Sequence, residues 1–361
     1  MIETKVYSVP IQQMDTPACR QALIHVGEIL KRGGLAAIPT ETVYGLAADA
    51  GNPQAVKSIF TTKGRPQDNP LIVHIASMEM WKEIVQQIPS SAIRLAEAFW
   101  PGPLTIILPK SERIPLETSG GLNTVAVRFP SHPVAQEIIR LAGVPIAAPS
   151  ANLSGLPSPT TAQRCIEDLS GKVEAIVDAG SCSVGVESTV ITLAQDIPRL
   201  LRPGGITLEQ LQTVLGQVAV DPAVTHRLEE GQPASSPGMK YKHYAPKADV
   251  RLVEADQAAY LEFVNRQEEE GVYALCFSED LPAIKIPAVA YGSGSDPMSQ
   301  AHGLFESLRR LDELGARMVY ARAPSKDGVG LAVYNRLIRA AGFSIVYPSG
   351  GQQQENTTHN Q

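Results

Sequence analysis

Apolar positions along the chain follow two alternating periods, and the alternation predicts the elements. Between Ala18 and Arg32 apolar residues return every three to four positions, as in an amphipathic helix, until Gly33-Gly34 stop it. Leu35 to Pro39 is a short apolar run of strand type. Pro53 to Phe60, Ser90 to Trp100, Pro133 to Ala142 and Thr161 to Leu169 repeat the helical pattern. Leu104 to Leu108, Thr124 to Phe129, Val144 to Ala148 and Ala175 to Asp178 read as strands, and Ser188 to Leu193 with Arg199 to Arg202 as a hairpin. A helix from Leu208 to about Val218 closes the block. Helices and strands interleave, so the expected class is α/β or α+β.

The rhythm breaks between Gly231 and Lys247, a stretch rich in Pro, Gly and Ser with no acidic residue, which marks a linker. A second rhythm follows. Val250 to Val253, Val272 to Phe277, Ala288 to Tyr291 and Met318 to Ala321 are strand candidates. Asp256 to Glu268, His302 to Leu314 and Leu331 to Ala341 are helix candidates. Together they predict a smaller three-layer α/β domain. The expected division is 1–220 for the first domain, 221–248 for the linker, 249–347 for the second domain and 348–361 for a polar, disordered tail.

Length and composition narrow the function classes. At 361 residues there is room for two or three domains, and 43% hydrophobic with 19% charged residues is the balance of a globular protein. A net charge of −6 supplies no global basic field, so any nucleic-acid contact needs a local patch. Four cysteines without C-x-x-C spacing argue against a disulfide framework and a thiolate zinc site, and fit a reducing cytoplasm. No run of eighteen apolar residues occurs and the N-terminus has no apolar signal core, so no membrane span is expected. The chain has no G-x-x-x-x-G-K-[ST] loop. Gly292-x-Gly294 runs into Asp296-Pro297 and fails the dinucleotide fingerprint. No serine-hydrolase signature appears either. A phosphate site here would have to use side-chain cations.

Five segments could carry chemistry. The densest is Lys63 to His74, KGRPQDNPLIVH, which reads as a loop stiffened by Pro66 and Pro70. Its Lys63 and Arg65 suit a polyanion such as a triphosphate, although the same charges describe a surface loop equally well. Pro39 to Leu46, PTETVYGL, offers threonine hydroxyls at a strand end, or a capped turn. Thr124 and Arg128 stand at opposite ends of one strand. They cannot grip one small group but could bracket a larger ligand, with Arg128 free to take a carboxylate bidentately. Ala148 to Asn152, APSAN, combines small residues with compact donors, and Ser158 lies beyond it. Glu187-Ser188-Thr189 and Arg202-Pro203-Gly204 complete the set, each also readable as an ordinary turn.

In this order the segments resemble the YrdC/Sua-type threonylcarbamoyl-AMP synthase family across the first 208 residues. The linker sequence Ser236 to Pro246, SPGMKYKHYAP, extends the likeness to the long, two-domain form. The resemblance implies a twisted mixed sheet with a large concave cavity, followed by a Rossmann-like domain without a dinucleotide fingerprint. It implies a nucleotidyltransferase reaction: L-threonine, bicarbonate and ATP, with Mg²⁺, give threonylcarbamoyl-AMP and pyrophosphate. The product would serve threonylcarbamoyl modification of the adenosine beside the anticodon of tRNA, by hand-off to the transferase machinery. The family pattern puts threonine near Thr42, His74, Arg128, Ala148 and Ser188, with Thr40 a second candidate for the hydroxyl contact. It puts ATP near Lys63, Arg65, Asn69, Thr124, Ser150, Asn152, Ser158, Arg202 and Tyr244. Lys63 and Arg65 are the expected catalytic cations, and no protein metal ligand is expected. Lys240, Lys242, His243 and Tyr244 would form a lid excluding water from the mixed anhydride. An RNA-binding module of the same fold without adenylation is the alternative.

Overall fold

The computed structural model of the chain describes residues 2–227 and 244–348. Most of the expected linker, with Lys240, Lys242 and His243, and all but the first residue of the expected tail lie outside the described residues.

An eleven-stranded mixed sheet organises the first domain. Its order runs Lys5–Ser8, Ala175–Asp178, Ala36–Ile38, Gly45–Asp49, Ile146–Ala147, Ile72–His74, Thr124–Arg128, Leu104–Pro109, Thr189–Thr192, Arg199–Arg202 and Ala219–Val220. The hairpin expected at 188–202 forms as an antiparallel pair, Thr192 opposite Arg199. Strand Gly45–Asp49 was not expected; the PTETVYGL segment turns in a tight bend and returns antiparallel to Ala36–Ile38, with Ile38 opposite Gly45. The helix expected over 53–60 extends to Lys63, where Gly64 ends it in the left-handed conformation at φ 63°. Lys63 is therefore a helix residue, and the stiffened loop starts at Gly64. Thr61 and Thr62 have lower helix propensity, but the turn they occupy carries Ile59, Phe60 and Lys63 inward, and packing overrides propensity.

Register across the sheet builds one line of side chains. His74 is the parallel partner of Arg128, Arg128 is opposite Thr105, and Leu104 is paired with Thr189, the residue after Ser188. Strands about 4.8 Å apart thus present His74, Arg128, Thr105 and Ser188 side by side at one end of the sheet.

The second domain is a five-stranded, all-parallel sheet in the order Ala288–Ala290, Val272–Cys276, Met318–Arg322, Asp249–Val253, Ile345–Val346. Period-two alternation divides its faces. Val250, Leu252, Leu275, Val319 and Ala321 meet helices Pro297–Glu313 and Gly330–Ala340, while Val253 and Cys276 meet Tyr260 and Val264 of helix Gln257–Val264. Numbered by position in the domain, the strand order is 3-2-4-1-5. The contiguous 3-2-1 half of a dinucleotide fold is missing, in keeping with the absent fingerprint. The first face also buries Val43 and Val186 of the first domain beside Tyr244, so the two domains share an apolar cluster.

Candidate active site

The bend after Ile38 begins the site. Thr40 Oγ1 accepts from the amides of Thr42 and Val43 at 3.2 and 3.3 Å and donates to the Val43 carbonyl at 2.6 Å. That hydroxyl closes the bend as an internal cap. Its proton being used, Thr42 donates across the 2.9 Å contact between the two hydroxyls. Thr42 Oγ1 in turn accepts from Arg128 at 2.8 Å. Arg128 is buried, and Glu41 lies against it at 2.7 Å, in charge contact without the alignment of a hydrogen bond. Burial, the largest single effect, raises the Glu41 carboxyl, but the Arg128 charge and the donors around the carboxylate together hold the group below its ordinary range.

His74 sits next to Arg128 and is buried. Its Nδ1 lies 3.3 Å from the Ile72 carbonyl, which can only accept, so Nδ1 carries the proton and Nε2 is left as an acceptor. Burial, reinforced by the Arg128 charge, lowers its pKa to about 3, so the imidazole is neutral. Ser188 Oγ is 2.7 Å from Thr105 Oγ1 and 3.2 Å from the Arg202 guanidinium, whose Nε donates to the Ser188 carbonyl at 3.0 Å. Burial lowers the Arg202 pKa to about 10, which leaves it cationic at neutral pH.

An open cavity with about 580 Å³ of empty space gathers most of the residues singled out from sequence. Thr40, Thr42, Arg65, His74, Arg128, Ala148, Ser150, Ser188, Arg202 and Tyr244 line it. Glu187 joins them, so the lining has three guanidiniums and one carboxylate, a balance suited to an anionic ligand. Tyr244 holds a left-handed φ of 64° with its ring against Phe305, centroids 5.2 Å apart. A bulky residue in that conformation persists only where its surroundings hold it there.

Lys63, Asn69, Asn152, Ser158 and Thr124 lie outside the lining. The Lys63 ammonium donates to the Ser150 carbonyl, to the Asn152 carbonyl at 2.5 Å and to Asn152 Oδ1 at 3.4 Å. Burial and the Arg65 charge push its pKa well down, while three oxygen acceptors favour the ammonium. The Lys63–Arg65 and Ser150–Asn152 segments thus meet, with Lys63 stapling the Ser150–Asn152 turn from behind. Asn69 is buried, and its amide has no hydrogen-bond partner among the described residues. Ser158 Oγ donates to Glu187 at 2.5 Å. Thr124 opens its strand, opposite Pro109 and about 13 Å from Arg128 at 3.3 Å per residue.

One contributor escaped the sequence reading. Arg336, on helix Gly330–Ala340 of the second domain, is fully buried and donates through Nε to Glu187 at 2.9 Å. Its partner stands 149 residues away, and on its helix it resembles one more surface cation.

Comparison with known proteins matches this arrangement along nearly the whole chain. The Sua5/YciO/YrdC family model, described as telomere recombination, matches residues 28–204. The model described as threonylcarbamoyl-AMP synthase, C-terminal domain, matches residues 206–342. Threonylcarbamoyl-AMP synthase of Pyrococcus abyssi is 46% identical over 88% of this chain and 93% of its own length. That of Bacillus subtilis is 44% identical over 88% and 92%. The crystal structure of P. abyssi Sua5 complexed with L-threonine superposes with a TM-score of 0.86 at 42% identity, covering 95% of this chain and 99% of that one. The chain belongs to the Sua5/YrdC family, in its long, two-domain form.

Proposed function

We propose that the chain is a nucleotidyltransferase that converts L-threonine, bicarbonate and ATP to threonylcarbamoyl-AMP and pyrophosphate, for threonylcarbamoyl modification of tRNA. The observation that carries this reading is the end-to-end likeness to threonylcarbamoyl-AMP synthases, with the signature segments meeting at one cationic cavity. Bicarbonate loses water to give CO₂, which the threonine amine takes up as a carbamate with loss of a proton. A carbamate oxygen attacks the α-phosphorus, and the bond to pyrophosphate breaks. Charge gathers on phosphate oxygens, so positioning and fixed cations are what the protein must supply.

We assign the threonine carboxylate to Arg128, whose poorly aligned contact with Glu41 leaves it able to turn to a second carboxylate. Thr42 and Ser188 hydroxyls and the acceptor Nε2 of His74 suit the threonine amine and hydroxyl, with Ala148 allowing close approach. Arg65 and Arg202 are assigned to the phosphates, with Ser150, Ser158 and Tyr244 around the nucleotide. Asn69 fits there too, as an amide that costs about 1–3 kcal/mol if left without partners. Lys63 is the second proposed cation. Its bonds to Ser150 and Asn152 support a part in holding the nucleotide wall rigid. Thr124 would have to meet a far end of the nucleotide.

Among the described residues no three His, Cys, Asp or Glu groups gather as a metal cluster, and Glu187 is already engaged by Arg336 and Ser158. Mg²⁺ would therefore travel on the triphosphate, where it would offset phosphate charge. The four cysteines are free and buried, and no described helix is long and apolar enough to cross a membrane. A cytoplasmic setting, with hand-off of the product to a tRNA-modifying partner, is part of the same proposal. The test is detection of threonylcarbamoyl-AMP by mass, from ATP, threonine and bicarbonate, with wild type and Lys63→Ala. Product from wild type and about tenfold less from Lys63→Ala is expected, given the worth of a charged hydrogen bond. Salt-sensitive tRNA binding without turnover would favour an RNA-binding module instead.

A further inference from the structure

We infer that Arg336, contributed by the second domain, is a positioning residue for the reaction, fixing Ser188 and Arg202 through the base of the hairpin that carries them. The inference rests on the activity proposed above. Ser188 immediately precedes strand Thr189–Thr192, and Arg202 ends strand Arg199–Arg202. One guanidinium grips both sides of that base. Arg336 Nε donates to the Glu187 carboxylate at 2.9 Å and its NH2 group to the Glu187 carbonyl at 3.2 Å. Its NH1 group donates to the Pro203 carbonyl at 2.8 Å and to Asn335 Oδ1 at 2.9 Å. Glu187 and Pro203 are the chain neighbours of Ser188 and Arg202, so a shift of the guanidinium moves both cavity residues. Ser158 completes the link, donating to the other Glu187 oxygen at 2.5 Å. The cation also lies 5.8 Å from the centre of the Tyr244 ring, another wall of the cavity.

Domain docking alone does not call for this arrangement. A buried ion pair is a poor source of stability beside apolar packing of similar volume, whereas a forked guanidinium fixes geometry through several bonds at once. Arg164 provides the contrast: it crosses the joint to Glu306 and Glu313 on helix Pro297–Glu313, docking bonds whose partners lie away from the hairpin base.

The test compares Arg336→Lys and Arg164→Met with wild type in the full-length protein. It measures kcat and KM for ATP and for threonine by pyrophosphate release, the ATP dissociation constant by calorimetry, and the melting temperature. A lysine keeps the charge and loses the fork. In Arg336→Lys we expect kcat to fall about tenfold or more and ATP to bind more weakly, since small misplacements of catalytic groups are costly, while Arg164→Met keeps wild-type kcat and KM. Wild-type kinetics in a folded Arg336→Lys overturn the inference. So does an equal loss in Arg164→Met tracking its melting temperature, the mark of docking alone. If Arg336→Lys does not fold, Glu187→Gln probes the same link from the other side, and unchanged kinetics there overturn it too. A wild type that makes no threonylcarbamoyl-AMP would fell the assigned activity; the ATP affinities of wild type and variants still decide the role of Arg336.

Discussion

Single residues in this cavity are held by geometry that makes their loss measurable. Arg128 already donates to Thr42 and touches Glu41, so its guanidinium is oriented in advance for the threonine carboxylate we assign to it. Arg128→Lys keeps a cation but cannot form the paired hydrogen bonds. The threonine KM is expected to rise about tenfold or more with the ATP KM little changed, as initial rates at saturating ATP will report. His74 carries a pH signature. Its folded pKa of about 3 is below the ordinary 6.5 of a solvated imidazole, so below pH 6.5 the unfolded chain binds the extra proton and the folded chain does not. Stability therefore falls as pH drops from 6.5 towards 3, by up to about 1.4 kcal/mol per pH unit for this one group. His132, also lowered by burial, adds with the same sign, while the Glu41 and Glu187 contributions are lost at more acid pH, below ordinary carboxylate values. Urea titrations at pH 7 and 5 are expected to show a smaller loss in His74→Gln than in wild type.

At the scale of elements, the hairpin base is where packing has least slack. A Cβ on Gly204 would lie 2.3 Å from the Thr189 nitrogen and 2.7 Å from the Glu187 carbonyl oxygen. Those atoms are backbone and cannot swing away. Gly204→Ala is expected to cost about 1–3 kcal/mol in urea unfolding, as overpacking does, and to lower kcat by parting Ser188 from Arg202. The hairpin itself was legible, because two apolar β-rich runs flank turn residues. Strand Gly45–Asp49 was not: its motif reads as polar turn chemistry up to Gly45, and the short run Leu46-Ala47-Ala48 is too weakly β-forming to announce a strand. The sequence pattern of helix Pro53–Lys63 ends three residues short, at Phe60, for the converse reason, since local propensity fades at Thr61 while the buried face continues. The second domain's helices were legible in type and near-position, but helix Gly330–Ala340 is buried on its polar side as well, which periodicity does not reveal.

Across the whole molecule, what sequence left hidden is long-range ionic pairing, because a cation's partner 140 residues away leaves no local trace. Cavity residues could be recognised by their motifs; Arg309 and Arg336, which tie the second domain to the first, could not. The joint between domains has two kinds of ion pair. Arg309 donates to both oxygens of Asp168 at 3.2 and 2.8 Å, with both side chains more than nine-tenths buried. Arg164 fans out to Glu167, Glu306 and Glu313, whose side chains are 36–40% exposed. Solvent screens the second network, and each exposed pair is worth about 0–1 kcal/mol. Removing Arg309 strands Asp168 in a site where it cannot be solvated, a loss of about 3–5 kcal/mol for a broken buried pair. Arg309→Met is thus expected to destabilise the protein several times more than Arg164→Met in urea unfolding. Raising NaCl from 0.1 to 1 M should shrink the smaller effect and leave the larger one nearly unchanged, because a Debye length of about 3 Å screens exposed charges and not buried ones. Equal losses in the two variants, or a strong salt dependence for Arg309→Met, would show that the joint is held by its apolar cluster around Val43, Val186 and Phe305 rather than by its buried charge.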